Sequence, residues 1–139
     1  MQKFPPERIV CLSDETVEII YLLGEEKRIV GVTGFAVRPQ KVRKEKPRVS
    51  SFTAARTDEI LKLNPDLVLS FSDVQADLSR SLVLAGLNVF CFNQRSVAEI
   101  FSMISMIGAI LNCTEKASKL QKKLFKRITY CKENKFDFQ

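Results

Sequence analysis

The segment DLVLSFSDVQADLSRSLVLAGLNVFCF, from Asp66 to Phe92, decides the predicted fold. Asp66 to Phe71 is a short apolar run without alternation, which is typical of a central parallel strand buried on both faces. Asp73 to Leu84 follows with the pattern of a helix that ends near Gly86. Asn88 to Phe92 is again a β-rich run. A strand, a helix and a strand in this order predict a unit whose two strands are parallel.

The same alternation extends in both directions from this unit. Upstream, Arg8–Leu12 and Ile29–Val32 are predicted strands, and Ser13 is placed to cap a helix between them. Downstream, Ser96 with Glu99 forms a capping box ahead of an amphipathic helix, and a long helix begins near Thr114. We therefore predict a three-layer α/β/α lobe with a mostly parallel four-stranded sheet and a long C-terminal helix.

The predicted organisation is one lobe with an appended helix. Residues 1–7 form an N-terminal tail, 8–112 the α/β lobe, 113–132 the long helix and 133–139 a C-terminal tail. Thr33 to Ser51 is a long polar segment without periodicity, which predicts a loop. Loops of this length in compact domains are often functional.

The composition disfavours the common catalytic sites. The chain has no histidine and five glycines, and it contains neither of the glycine-rich phosphate-binding motifs. No Ser-His-Asp or Cys-His arrangement is available, so no catalytic residue and no intrinsic cofactor is expected. The four cysteines lack the paired spacing of zinc ligands, and no metal site is expected. Cys11 and Cys91 fall in apolar strand-like runs, which predicts small buried hydrophobic residues.

The net charge of +6 raises the question of nucleic-acid binding. Much of the excess lies in Arg38–Arg48 and Lys116–Lys135, which are predicted to be a solvated loop and a solvated helix face. No nucleic-acid partner is expected. The N-terminus has no apolar stretch of signal-peptide length, which predicts a cytoplasmic chain as written, or a periplasmic one if a signal has been removed.

Ligands of parallel sheets bind beyond the carboxyl ends of the strands. This rule selects four places: Ser13–Asp14, Thr33–Arg38, Phe71–Asp73 and Asn93–Arg95. Within them, Arg38, Asn93 and Gln94 are candidate polar ligand contacts. A solvated arginine and a turn at Asn93 and Gln94 are the alternative interpretations.

Three stretches together carry a resemblance to a known family. They are RIVCLSDETVEIIYLLG (8–24), IVGVTGFAVRP (29–39) and PRVSSFTAARTDEILKLNPDLVLSF (47–71). In this combination the chain resembles the N-terminal lobe of the helical-backbone class (class III) of ABC-transporter substrate-binding proteins, which bind vitamin B12, ferric siderophores or haem. The resemblance covers roughly residues 8–131, and within it the vitamin B12 binders and a signal-less cobalamin-binding subgroup are the most similar.

The resemblance implies non-catalytic binding of a cobalamin-like corrinoid, or of an iron chelate, between two lobes that a long helix connects. It places the ligand-lining aromatic residues of the first lobe at Phe35, Phe52 and Phe71. All three are phenylalanine where the B12 binders favour tyrosine or tryptophan. The apolar ring face is kept, but the hydrogen-bonding O–H or N–H group is lost. It also places Asp58 where relatives carry a surface acid that docks on the permease.

The resemblance extends to one lobe only, and three arrangements remain open. The chain is a fragment, a natural truncation, or one half of a homodimer that rebuilds a two-lobed site. The alternative function is an interaction module that dimerises, or pairs with a second-lobe partner, through its long helix and binds no small molecule. An exposed apolar stripe on that helix would favour association.

Overall fold

The computed structural model describes residues 3–34, 36–50 and 57–133. The strands are β1 (Ile9–Cys11), β2 (Ile29–Thr33), β3 (Arg48–Ser50), β4 (Leu67–Phe71) and β5 (Val89–Phe92). The α-helices are α1 (Asp14–Leu22), α2 (Val42–Glu45), α3 (Thr57–Lys62), α4 (Ala76–Leu84), α5 (Val97–Ile110) and α6 (Thr114–Glu133).

The strands form one parallel sheet in the order β3-β2-β1-β4-β5. The predicted α/β class and parallel sheet are confirmed, but the predicted number of four strands was wrong, because the sheet has five. The missed strand, β3, lies inside the segment predicted to be a loop. It is three residues long and lies at the sheet edge, with Val49 as its buried residue. Such a strand has too few apolar positions to produce a periodic pattern.

The two faces of the sheet are both covered by helices. Along β1, Ile9 and Cys11 belong to one apolar cluster, and Val10 and Leu12 belong to another. This is the alternation that a strand imposes on successive side chains. Buried residues of α1, α5 and α6 join the first cluster, and those of α3 and α4 join the second. The predicted three-layer arrangement is therefore confirmed.

The helix starts follow the predicted caps. The hydroxyl of Ser13 accepts a hydrogen bond from the Thr16 N–H, at 3.4 Å, at the start of α1. The hydroxyl of Ser96 accepts one from the Glu99 N–H, at 3.1 Å, at the start of α5. These side chains satisfy N–H groups that the first helical turn leaves without an internal partner.

The last helix, α6, leaves the lobe as it proceeds. Its residues Ala117 and Leu120 are buried against the core, whereas Phe125 and Tyr130 are 64% and 62% exposed. The second half of α6 therefore exposes apolar side chains, whereas its first half packs against the core. In the part of the chain that the structure describes, none of the helices combines the length and apolarity required to cross a bilayer.

Candidate functional site

The sheet has a crevice at the carboxyl ends of β1 and β4. These strands are neighbours, yet β1 leads into α1 on one face of the sheet and β4 leads toward α4 on the opposite face. Because the two connections turn away from each other, they leave a gap above the carboxyl ends of β1 and β4. This is the place where open α/β sheets bind their ligands.

The side chain of Gln75 holds the base of this crevice. The regular pairing of β1 with β4 ends where the Leu12 N–H donates to the Leu69 carbonyl oxygen, at 2.8 Å. In a regular parallel ladder, the Phe71 N–H would next donate to the Leu12 carbonyl oxygen. Instead the Gln75 Nε2 donates to Leu12 O at 2.7 Å, and the Phe71 N–H donates to Gln75 Oε1 at 2.8 Å. The amide thus takes the place of one ladder bond.

The residue after β4 has a strained backbone. Ser72 has φ 55° and ψ −177°, a region that glycine occupies readily and other residues at a cost of about 1–3 kcal/mol. The Ser72 N–H donates to the Phe92 carbonyl oxygen at 2.8 Å, and the Ser72 hydroxyl accepts from the Val74 N–H at 3.2 Å. These bonds hold the turn in place. Strain of this kind accumulates at ligand-binding and active sites.

A cavity of about 310 Å³ opens at the crevice. Its described lining combines apolar and polar side chains, and comprises Leu12, Ser13, Asp14, Glu15, Thr33, Phe71, Val74 and Gln75. Apolar walls with a few convergent polar groups are typical of small-molecule sites.

Two carboxylates at the start of α1 give the cavity its charge. Asp14 and Glu15 line it, and no lysine or arginine appears among its described lining residues. Burial raises the pKa of Asp14, the carboxylates of Glu15 and Glu18 raise it further, and Arg38 lowers it. Asp14 and Glu15 are both exposed, so the described lining presents two carboxyl groups at the opening of the cavity.

Of the three predicted aromatic ligand contacts, Phe71 lies within the described residues, and its contact with a ligand stays a prediction. Phe71 lines the cavity, half-buried at the end of β4. Phe35 and Phe52 lie outside the described residues, so their proposed roles stay predictions. Gln75, which lines the cavity and bonds to the backbone of Leu12 and Phe71, was not predicted from the sequence. The only indication was a polar residue four positions after the end of an apolar strand.

The predicted polar contacts are dispersed. Arg38 is exposed and lines a separate depression beside Glu18 and Tyr21. Asn93 is exposed, and its Oδ1 accepts a hydrogen bond from Arg95 at 3.1 Å. Gln94 is half-buried, and both its amide atoms are buried without a hydrogen-bond partner among the described residues. None of the three is part of the cavity's described lining, and their roles as ligand contacts stay predictions.

The remaining residues that the sequence analysis singled out lie outside the cavity's described lining, and docking by Asp58 stays a prediction. Asp58 is exposed in the first turn of α3. Cys11 is buried, and burial raises the pKa of its thiol to about 12. Cys91 is exposed, contrary to its predicted burial, because β5 is an edge strand. Within the described ranges, no three histidine, cysteine, aspartate or glutamate side chains come close enough to hold a metal ion.

The comparison with protein families identifies the group to which this fold and crevice belong. The family model described as periplasmic binding protein matches residues 9–134. The chain belongs to the periplasmic binding protein family. The predicted resemblance is therefore confirmed at the level of the family.

Individual relatives and one solved structure give more detail. The chain is 33% identical over 126 residues to an uncharacterised ABC transporter substrate-binding lipoprotein of Bacillus subtilis, YvrC, with 88% of this chain and 40% of the relative covered. It is 27% identical over 104 residues to the vitamin B12-binding protein of Yersinia pestis, with 73% of this chain and 36% of the relative covered. It shares the fold of a periplasmic haem-binding protein from Pseudomonas aeruginosa, at a TM-score of 0.84, with 21% identity over 92% of this chain and 46% of that one.

The chain spans less than half the length of these family members. Their names describe binding proteins, and none is the name of an enzyme. The Bacillus subtilis relative is named a lipoprotein and the Pseudomonas aeruginosa protein is named periplasmic, so the predicted cytoplasmic location gains no support from these names.

Proposed function

We propose that this lobe binds a cobalamin-like corrinoid, without converting it chemically, at the crevice between β1 and β4. An iron chelate is the second ligand class. The observation that carries the proposal is the cavity of about 310 Å³ at the carboxyl ends of β1 and β4, with Phe71 in its wall. The 27% identity to a vitamin B12-binding protein supports the choice of ligand.

A single lobe covers a large ligand on one side only. Binding sites for small molecules normally bury most of the ligand surface, so we expect weak affinity for this lobe alone. A second lobe would raise the affinity, whether it belongs to the same polypeptide, to a second copy or to a partner chain. By analogy with its relatives, the proposed partner in transport is an ABC permease, with Asp58 as a docking acid.

A titration with cyanocobalamin tests the proposal directly. Co-elution of the red ligand with the protein and a shift of its visible absorbance would support binding. Phe71→Ala should weaken the affinity about tenfold, since an aromatic contact contributes roughly 1 kcal/mol beyond its buried area. The matched control is Phe90→Ala on the adjacent strand, because Phe90 is partly exposed and does not belong to the described cavity lining. No binding at any accessible ligand concentration would refute the proposal.

The second candidate function is an interaction module that associates through α6. A groove of about 430 Å³ runs between α5 and α6, lined by Phe101, Gln121, Lys122, Phe125 and Lys126. Exposed aromatic surface on an amphipathic helix favours a protein partner. Light scattering separates the two functions. A dimer that dissociates on Phe125→Ser and ignores cobalamin would favour the module, whereas a dimer that co-elutes with cobalamin would indicate a rebuilt two-lobed site.

A further inference from the structure

The charged residues in the described lining of the crevice are opposite in sign to the net charge of the whole protein. The chain carries a net charge of +6, yet the charged residues in the described lining of the cavity are Asp14 and Glu15. Leu12, Phe71 and Val74 form its apolar part. A ligand that enters this cavity therefore meets apolar surface and negative charge together.

The start of α1 would otherwise favour anions. The N-terminus of a helix carries a partial positive charge and unpaired N–H groups that attract phosphates and carboxylates. Here Asp14 and Glu15 occupy the first turn, and the Ser13 hydroxyl accepts from the Thr16 N–H. The protein's own carboxylates thus neutralise the helix end that faces the cavity.

Two described arginines near the strand ends, Arg38 and Arg95, lie outside the cavity lining. Arg38 lines the depression beside Glu18 and Tyr21, and although its charge acts to lower the pKa of Asp14, that pKa stays raised. Arg95 lies 3.6 Å from the carboxylate of Asp73, which is a highly exposed ion pair. Neither residue belongs to the cavity's described lining.

We infer that Asp14 and Glu15 make this crevice select its ligand by charge, in favour of neutral or cationic macrocycles that carry N–H donors and against anionic chelates. This inference rests on the proposed function. Carboxylates accept strong hydrogen bonds from amide N–H groups, and the periphery of a corrin ring carries such amides. The same two carboxylates would repel an anionic ligand, most strongly at low ionic strength.

The test uses three corrinoids with the same ring and different charge, namely aquacobalamin (cationic), cyanocobalamin (neutral) and sulfitocobalamin (anionic). Each is titrated into the protein at neutral pH and low ionic strength, followed by visible absorbance. We expect the affinity to fall in that order by about fivefold per charge step. In the double variant D14N/E15Q the three affinities should converge to within about twofold.

The control is Glu18→Gln, which removes one charge from the same helix but not from the cavity lining, and should preserve the order. Binding of all three corrinoids with equal affinity would overturn the inference and leave the proposed function standing. An order that persists in D14N/E15Q would also overturn it, because the selectivity would then arise from the axial ligand. Failure of all three to bind would overturn both.

Discussion

The Gln75 side chain and the Leu12 carbonyl group are joined by a hydrogen bond of 2.7 Å across 63 residues of sequence. The same side-chain amide accepts a hydrogen bond from the Phe71 N–H, so it replaces one backbone hydrogen bond of the ladder between β1 and β4. Gln75 is 2% exposed. The crevice is thus held by a buried polar bridge between two strands whose connections turn to opposite faces of the sheet.

Replacement of Gln75 by methionine should destabilise the protein. Methionine has a similar shape but cannot bond to either backbone group, and each buried group left without a partner costs about 1–3 kcal/mol. We expect the free energy of unfolding in urea to fall by about 2–4 kcal/mol. Asp77→Asn, at an exposed position in the first turn of α4, should change it by less than about 0.5 kcal/mol. Equal stability of the Gln75→Met and wild-type proteins would contradict the bridging role.

Two substitutions at Ser72 should separate backbone strain from side-chain bonding. Both Ser72→Gly and Ser72→Ala remove the hydroxyl that accepts the Val74 N–H, but only glycine relieves the strain at a φ of 55°. We expect the glycine variant to be more stable than the alanine variant by about 1 kcal/mol, measured by thermal or urea unfolding. An alanine variant that equals or exceeds the glycine variant would show that this backbone conformation is not strained.

The carboxylate of Asp66 should make stability depend on pH in the acid range. It is almost fully buried and accepts hydrogen bonds from the N–H groups of Glu7, Arg8 and Lys3, at 2.9, 3.0 and 3.2 Å. Burial acts to raise the pKa of Asp66, but these donors outweigh it and lower the pKa below its usual value.

A lowered folded-state pKa fixes the direction of the effect. The stabilisation is complete above the unfolded pKa of about 3.9 and is lost as the pH falls through the folded pKa. At neutral pH, Asp66→Asn should lower the unfolding free energy by about 1–3 kcal/mol, and the gap to wild type should close at acid pH. The control, Asp58→Asn at an exposed position, should show no such trend. A gap for Asp66→Asn that stays constant in acid would contradict the assignment.

The contact between α5 and α6 depends on a glycine. A Cβ added at Gly108 would overlap the Ala117 Cβ on the facing helix. Gly108→Ala should therefore separate the helices and lower the unfolding free energy by about 1–3 kcal/mol, although alanine is the better helix former by about 1 kcal/mol. Adding Ala117→Gly should recover part of the loss. Additive effects of the two substitutions, measured as a double-mutant cycle, would contradict direct contact.

Local patterns predicted most elements because their causes are local. Ser13 and Ser96 cap their helices as predicted, since a cap involves residues within one turn. β4 is central and buried, as its unbroken apolar run predicts. In contrast, β3 was missed because an edge strand of three residues needs only Val49 to be apolar.

The candidate site was predictable only in part. The strand-end rule selected Ser13, Asp14 and Phe71, which do line one cavity. It also selected Arg38 and Asn93, which lie outside that described lining. The rule specifies an edge of the sheet but not the order of the strands, so it could not say which loops meet.

The sequence by itself determined the alternation of strands and helices, the helix caps and the family, because these depend on residue order over short distances. Only the tertiary structure decided that β1 lies beside β4 and that Gln75 bridges them. Strand order and register arise from the packing of residues far apart in the chain, such as Leu12 and Gln75. The cavity and its negative charge exist because that packing brings the start of α1 next to the end of β4.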